Sequence, residues 1–198
     1  MPGAARRVRG EIVKRTLALW TLGALVVTAT GPSYAAEVIF SEAARVGERY
    51  RVRVEMRIAV PADQSFAMLT DYAHLSRLNP GIVESEVLES TDRHHRVRLA
   101  TRGCLMFFCR TLRQVQTVSE SDGRMIDVRV EAAQSDFNYG RLLWRITPVG
   151  PEASRVSFSA ELEPAGWVPP LIGPWAIRRF LEEQTQSTIR RIEEIATP

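Results

Sequence analysis

The sequence predicts an α+β fold in which a curved antiparallel sheet of about seven strands wraps one long C-terminal helix, with two short helices after the first strand. Two observations carry this. From 50 to 60 the chain alternates without a fault, Tyr50, Val52, Val54, Met56, Ile58 and Val60 on one side and Arg51, Arg53, Glu55 and Arg57 on the other. Period two with one charged face is a strand exposed on one side. From 171 to 196, Ile177, Leu181, Thr185, Thr188, Ile192 and Ile195 fall at steps of three and four, the single stripe of an amphipathic helix.

The other elements follow in order. Pro61 stops the first strand, and Asp63 or Ala62 opens a helix carrying Phe66, Met68 and Leu69. Asp71 can cap a second short helix, which ends at Asn79-Pro80-Gly81. Alternation then returns at Val97 and Leu99, at Ile126, Val128 and Val130, at Leu142, Trp144 and Ile146, and at Val156, Phe158, Ala160 and Leu162. Strands are expected over 83–89, 93–102, 110–119, 124–132, 138–147 and 154–162. The sheet gains a wet convex face and a dry concave one, and the helix stripe has only the dry face to bury against. The stretch 37–48 lacks clear periodicity and fits either a flexible lead-in or a short extra strand.

This order resembles the START-like superfamily, also called SRPBCC or helix-grip, which includes Bet v 1-like proteins. Within it, "VPADQSFAMLTDYAHLSRLNPGIVESEVLE" is similar to the opening of the polyketide cyclase/dehydrase and coenzyme-Q-binding START-like families. There a strand ends in proline, a helix ends in a Thr-Asp-Tyr-like turn, and a proline precedes the next strand. The resemblance spans 50–196. It implies an apolar cavity between sheet and helix that holds a lipid, quinone, polyketide or other hydrophobic ligand; inward Trp144 and Phe158 are candidates for its wall.

In an antiparallel meander every second connection lies at the same end of the sheet. One end therefore receives 104–109, 134–138 and the exit 164–174 into the long helix. The opposite end receives ordinary polar or Gly/Pro turns. The first end gathers Leu105, Met106, Phe107 and Phe108, then Phe137 and Tyr139, then Trp167, Val168, Leu171, Ile172 and Trp175. Exposed, these form an interaction rim for a bilayer or a protein; folded inward, 105–108 plug the cavity as core. Both arrangements are compatible with the pattern.

A continuous strand from 93 to 118 would exceed the usual length, so it must turn, and Gly103 is the only Gly or Pro within it. A turn there sets Cys104 opposite Cys109 at about 4.5–5.5 Å, which a disulfide accepts. The alternatives are two buried thiols, or half of a metal site with no nearby histidine.

Arg6, Arg7, Arg9, Lys14 and Arg15 precede the uncharged stretch 16–30 and then Gly31-Pro32-Ser33-Tyr34-Ala35-Ala36, the order of a secretory signal peptide. Residues 1–35 are expected to be removed near Ala35, leaving a lead-in (36–49) and one ligand-binding domain (50–198) in a bacterial periplasm or outside the cell, where a disulfide persists. An uncleaved anchor is the alternative, although fifteen uncharged residues fall short of the roughly 20 a spanning helix needs. Removal takes away those five basic residues and Glu11, so 26 basic and 23 acidic residues become 21 and 22. No basic footprint for nucleic acid remains.

No nucleophile elbow, phosphate loop or metal-ligand spacing is present in the sequence. No catalytic, metal or cofactor residue is assigned. His74, His94 and His95 read as solvated and Asp71 as a cap. The least regular strand carries Arg113, Gln114, Gln116 and Thr117, so an inward arginine or glutamine, Arg113 being the candidate, could meet a ligand's carbonyl. The expected partner is a hydrophobic small molecule, with peripheral membrane contact as a further possibility. The expected function is binding and transport of that molecule; the alternatives are a cyclase or dehydratase using the same cavity, which an inward carboxylate or histidine beside it would favour, and a periplasmic protein-interaction module, which a cavity filled by its own side chains would favour.

Overall fold

The computed structural model describes residues 37–105, 108–166 and 173–196. Eight strands form one antiparallel sheet: β1 (Glu37–Val46), β2 (Arg49–Ile58), β3 (Ile82–Ser90), β4 (His94–Leu105), β5 (Phe108–Ser121), β6 (Met125–Val130), β7 (Phe137–Pro148) and β8 (Ser154–Pro164). Helix α1 (Ala62–Leu69) follows β2, and helix α2 (Gly173–Ala196) ends the fold. The strand order is β1-β2-β8-β7-β6-β5-β4-β3. This is the helix-grip fold the alternation predicts, with one strand more than expected.

The additional strand is the stretch 37–48. It pairs with β2 from Glu37↔Arg57 to Val46↔Arg49, and Gly47, at φ 66°, makes the turn. The second short helix contracts to one 3-10 turn, Leu75–Arg77, and Asp71 does not cap it. Its carboxylate instead meets His74 Nδ1 at 2.8 Å.

Cross-strand register sorts the two faces as the alternation requires. Val54↔Phe158, Trp144↔Phe158 and Ile126↔Trp144 continue one inward row across four strands. Register shifts at Val38/Phe40, Ile82/Glu84, Val87/Glu89 and Phe137/Tyr139 bend the sheet. Helix α2 packs on β1, β2 and β4 and touches α1. Ile189 and Ile192 on its inner face are buried, whereas Ile195, expected on the buried stripe, is exposed. Ile192 has no accessible surface, and truncating such a side chain costs about 2–5 kcal/mol.

Candidate functional site

A cavity of about 220 Å³ lies between the sheet and the segment that follows α1. Leu69, Tyr72, Leu75 and Leu78 form one wall, and Ile126, Val128, Leu142 and Trp144 form the floor on β6 and β7. Asn79, Thr101, Gln114, Gln116 and Thr188 add neutral polar groups. Among the described residues none that lines it is charged.

Tyr72 is held at three points. Its carbonyl accepts the Ser85 hydroxyl, its hydroxyl donates to Glu120 Oε1 at 2.8 Å, and its ring lies 5.0 Å from that of His95. Glu120 Oε1 also meets His95 Nε2 at 3.2 Å, and His95 Nδ1 meets Ser90 Oγ at 2.9 Å. A continuous path of polar contacts thus runs from the exposed Ser90 hydroxyl to the cavity wall. Burial first, and then the hydrogen bond to Glu120, push the Tyr72 phenol well above its ordinary pKa. The phenol therefore stays protonated and serves as a donor.

The sequence reading took the histidines as solvated. His74 and His94 are exposed, but the His95 side chain is only 14% exposed and that of Glu120 17%. The signal that would have found them is parity. His95 shares its face with Val97 and Leu99, and Glu120 shares its face with Gln116 and Val118.

Several expected ligand residues stand elsewhere. Trp144 lines the cavity and packs against Phe158, ring centroids 4.3 Å apart. Phe137 is buried, but it is not part of the wall. Tyr139 faces the convex side with the Arg49 guanidinium 3.9 Å over its ring, on the parity of Arg141 and Arg145, since the register runs unbroken from Tyr139 onward. Arg113 is exposed, its backbone N–H bound to Asp136 Oδ2 at 2.8 Å, and Gln114 and Gln116 take the inward positions. Trp175 is 53% exposed. Met106, Phe107 and Trp167 lie outside the described residues, as do the side chains of Leu105 and Phe108.

The end of the sheet singled out by parity does bring three connections together. Pairing of β3 with β4 stops at Ile82↔Thr101, while β4 and β5 continue to Leu105↔Phe108. A two-stranded arm therefore projects four residue pairs, about 13 Å. Cys104 and Cys109 are joined by a disulfide across it, their Cα atoms 3.9 Å apart. The connection between β6 and β7 runs beside its base: Asp136 N–H donates to the Arg113 carbonyl, and Ser135 Oγ accepts from Val115 N–H at 3.0 Å. Arg96 grips Glu131 at that connection with two bonds, of 2.8 and 2.9 Å. Its guanidinium holds the Glu131 carboxyl below the usual carboxylate range. Past β8, a Cβ on Gly166 would lie 2.9 Å from Arg110 Nη2, so the chain leaving the sheet reaches the arm.

Among the described residues no group of three or more His, Cys, Asp or Glu is placed to hold a metal ion. Buried Gln184 Oε1 has no partner among them and sits beside Gly81.

The fold is shared with solved structures. The Zhui aromatase/cyclase of Streptomyces sp. R1128 superposes with a TM-score of 0.61 at 16% identity, over 75% of this chain and 93% of that one. A START superfamily protein of Mycobacterium smegmatis gives 0.59 at 17%, over 74% and 96%. A STAR-related lipid transfer protein of Xanthomonas axonopodis gives 0.56 at 17%, over 77% and 98%. No curated protein matches the chain. The family model described as polyketide cyclase / dehydrase and lipid transport matches residues 49–193, and with this sheet, helix and cavity in place the chain belongs to that family.

Proposed function

We propose that this protein is an exported carrier of a hydrophobic small molecule, lipid-like or quinone-like, held between the sheet and the segment that follows α1, beside helix α2. The observation that carries the reading is the cavity, walled by leucines, isoleucines, Val128 and Trp144 with a few neutral polar groups. Apolar walls with sparse polar groups are the pattern of small-molecule sites. At about 220 Å³ it falls below the roughly 300–1,000 Å³ of drug-sized sites; a ring or a short chain fits it, and a whole two-chain lipid does not. Export agrees with the basic-then-apolar N-terminal segment and with the bonded cysteine pair. Loading is assigned to the end of the sheet where the arm, the 131–136 connection and the segment after Pro164 meet, and this end also supplies any membrane contact.

A second reading has its own observation. The inward Glu120 and His95, joined to Tyr72 on the cavity wall, are groups an acid/base enzyme of the cyclase or dehydratase kind would use. Native mass spectrometry of the protein recovered from the exported fraction, with solvent extraction of anything bound, separates the two. A lipid or quinone at near-stoichiometric amount supports the carrier. An empty protein at apo mass overturns it in favour of a transient substrate.

A further inference from the structure

Resting on the cavity as a binding site, we infer that it selects an uncharged, ring-sized ligand bearing a carbonyl or similar oxygen, anchored by Gln114 and Gln116, and rejects a carboxylate of the same size. Size comes first. A dry cavity of about 150 Å³ is enough for a benzene ring, so about 220 Å³ accommodates a ring with a short substituent.

Some polar groups on the wall are committed. Tyr72 donates to Glu120, Asn79 Oδ1 accepts the Gly81 N–H at 2.8 Å, and the Thr188 hydroxyl donates to the Gln184 carbonyl at 2.8 Å. The two glutamines are not. Gln116 is only 5% exposed, and the pair makes one mutual bond, Gln114 Nε2 to Gln116 Oε1, at 3.3 Å. Two primary amides carry four N–H donors and two carbonyl oxygens. The one bond between them leaves the Gln116 –NH₂ and the Gln114 C=O uncommitted, on residues that line the cavity. Buried amides require partners, and a ligand oxygen can take the free N–H.

The same wall opposes an anion. Among the described residues no cation lines the cavity, and Glu120, bonded to the wall through Tyr72, is already engaged by His95. A carboxylate buried there would be unpaired, and that is strongly disfavoured.

The test compares three single-ring probes of nearly equal size at neutral pH: acetophenone, ethylbenzene and benzoate, their dissociation constants read by ligand-observed NMR on the intact protein. Acetophenone is expected to bind about 5- to 10-fold tighter than ethylbenzene, the worth of one buried hydrogen bond, with benzoate at least about 30-fold weaker than acetophenone. In Gln116→Leu the ketone's advantage over the hydrocarbon should vanish. Benzoate or ethylbenzene binding as tightly as acetophenone overturns the selectivity while leaving the cavity reading intact. Binding of none of the three overturns the cavity reading itself. The comparison on the unaltered protein decides the matter even if the variant does not fold.

Discussion

Gly140 is the position where one methyl group should do the most damage. It lies on β7 paired with Leu162, and its own side is buried. A Cβ built there would fall 2.7 Å from Val130 Cβ, still closer to Val130 Cγ2, and 3.2 Å from a Leu162 methyl. Carbon atoms prefer about 3.5–4.0 Å. Rotating Val130 moves its methyl but not its Cβ, so the backbones of β6 and β7 must part. Elsewhere in a strand, Gly→Ala is worth roughly 0.5–1 kcal/mol of stabilisation through backbone entropy. Overpacking costs about 1–3 kcal/mol and should win here. Gly140→Ala is expected to be less stable by about 2 kcal/mol, a Tm fall of about 4–8 °C for a domain of this size, measured by thermal denaturation followed by circular dichroism. Adding Val130→Ala should recover about 1 kcal/mol or more relative to the sum of the two single effects. An unchanged or raised Tm in Gly140→Ala would refute the steric argument. Gly81 is the internal control: its Cβ would meet Gln184 Oε1 and Asn79 Oδ1, ends of side chains that can move aside, so Gly81→Ala should cost far less.

Two further predictions follow from buried hydroxyls. The folded state holds the Tyr72 phenol protonated well above the ordinary tyrosine range, whereas the unfolded chain ionises near pH 10. Its contribution is complete below that pH and is lost as pH rises, about 1.4 kcal/mol per unit; Tyr72→Phe should therefore be less stable at neutral pH yet flatter above pH 10 in a denaturant series. Ser65 and Ser154 are both fully buried, with their hydroxyl oxygens 2.9 Å apart. Ser65→Ala strands the Ser154 hydroxyl and should cost about 1–3 kcal/mol, while the double alanine variant should be less damaging than the two single effects summed; strict additivity in urea unfolding would count against the pairing.

The sheet was legible in the sequence because a half-buried strand writes its facing into every second residue, as 50–60 and 154–162 do. β1 escaped because it is an edge strand with Ile39, Phe40 and Val46 exposed, so no residue pattern had to separate two environments. Tyr139 was legible as outward, since the alternation of Arg141 and Arg145 extends back to it; the register shift separates it from buried Phe137. Arg113 was misplaced because β5 is covered on both sides: Val115 is buried beneath the 131–136 connection as Gln116 is beneath the helices. The cysteine pair was readable because so long a strand has to turn, although Gly103, the expected turn, lies within the ladder opposite Arg110 and pairing runs on to Leu105↔Phe108. The Tyr72–Glu120–His95 contact was not, since it joins a turn to two strands and depends on where the chain after α1 settles. Inward-facing histidine and glutamate break the usual rule that charged types face water, and only the assembled register exposes the exception.

The placement of β2 beside β8 sets a constraint on the order of folding. Arg49 reaches Glu161 across 112 positions of chain, while β3 to β8 are each joined to their neighbours by short connections. Closing a loop of that length costs about 4 kcal/mol in chain entropy, against much less for each hairpin. The meander can assemble first, but β1 and β2, made first, must wait for β8. A chain emerging N-terminus first would hold the β2 edge that meets β8 unpaired, and the Val52-Val54-Met56-Ile58 face uncovered, until nearly all the rest had followed. Folding should be slow for the size of the domain, and the exposed early strand is the segment a holding chaperone would meet.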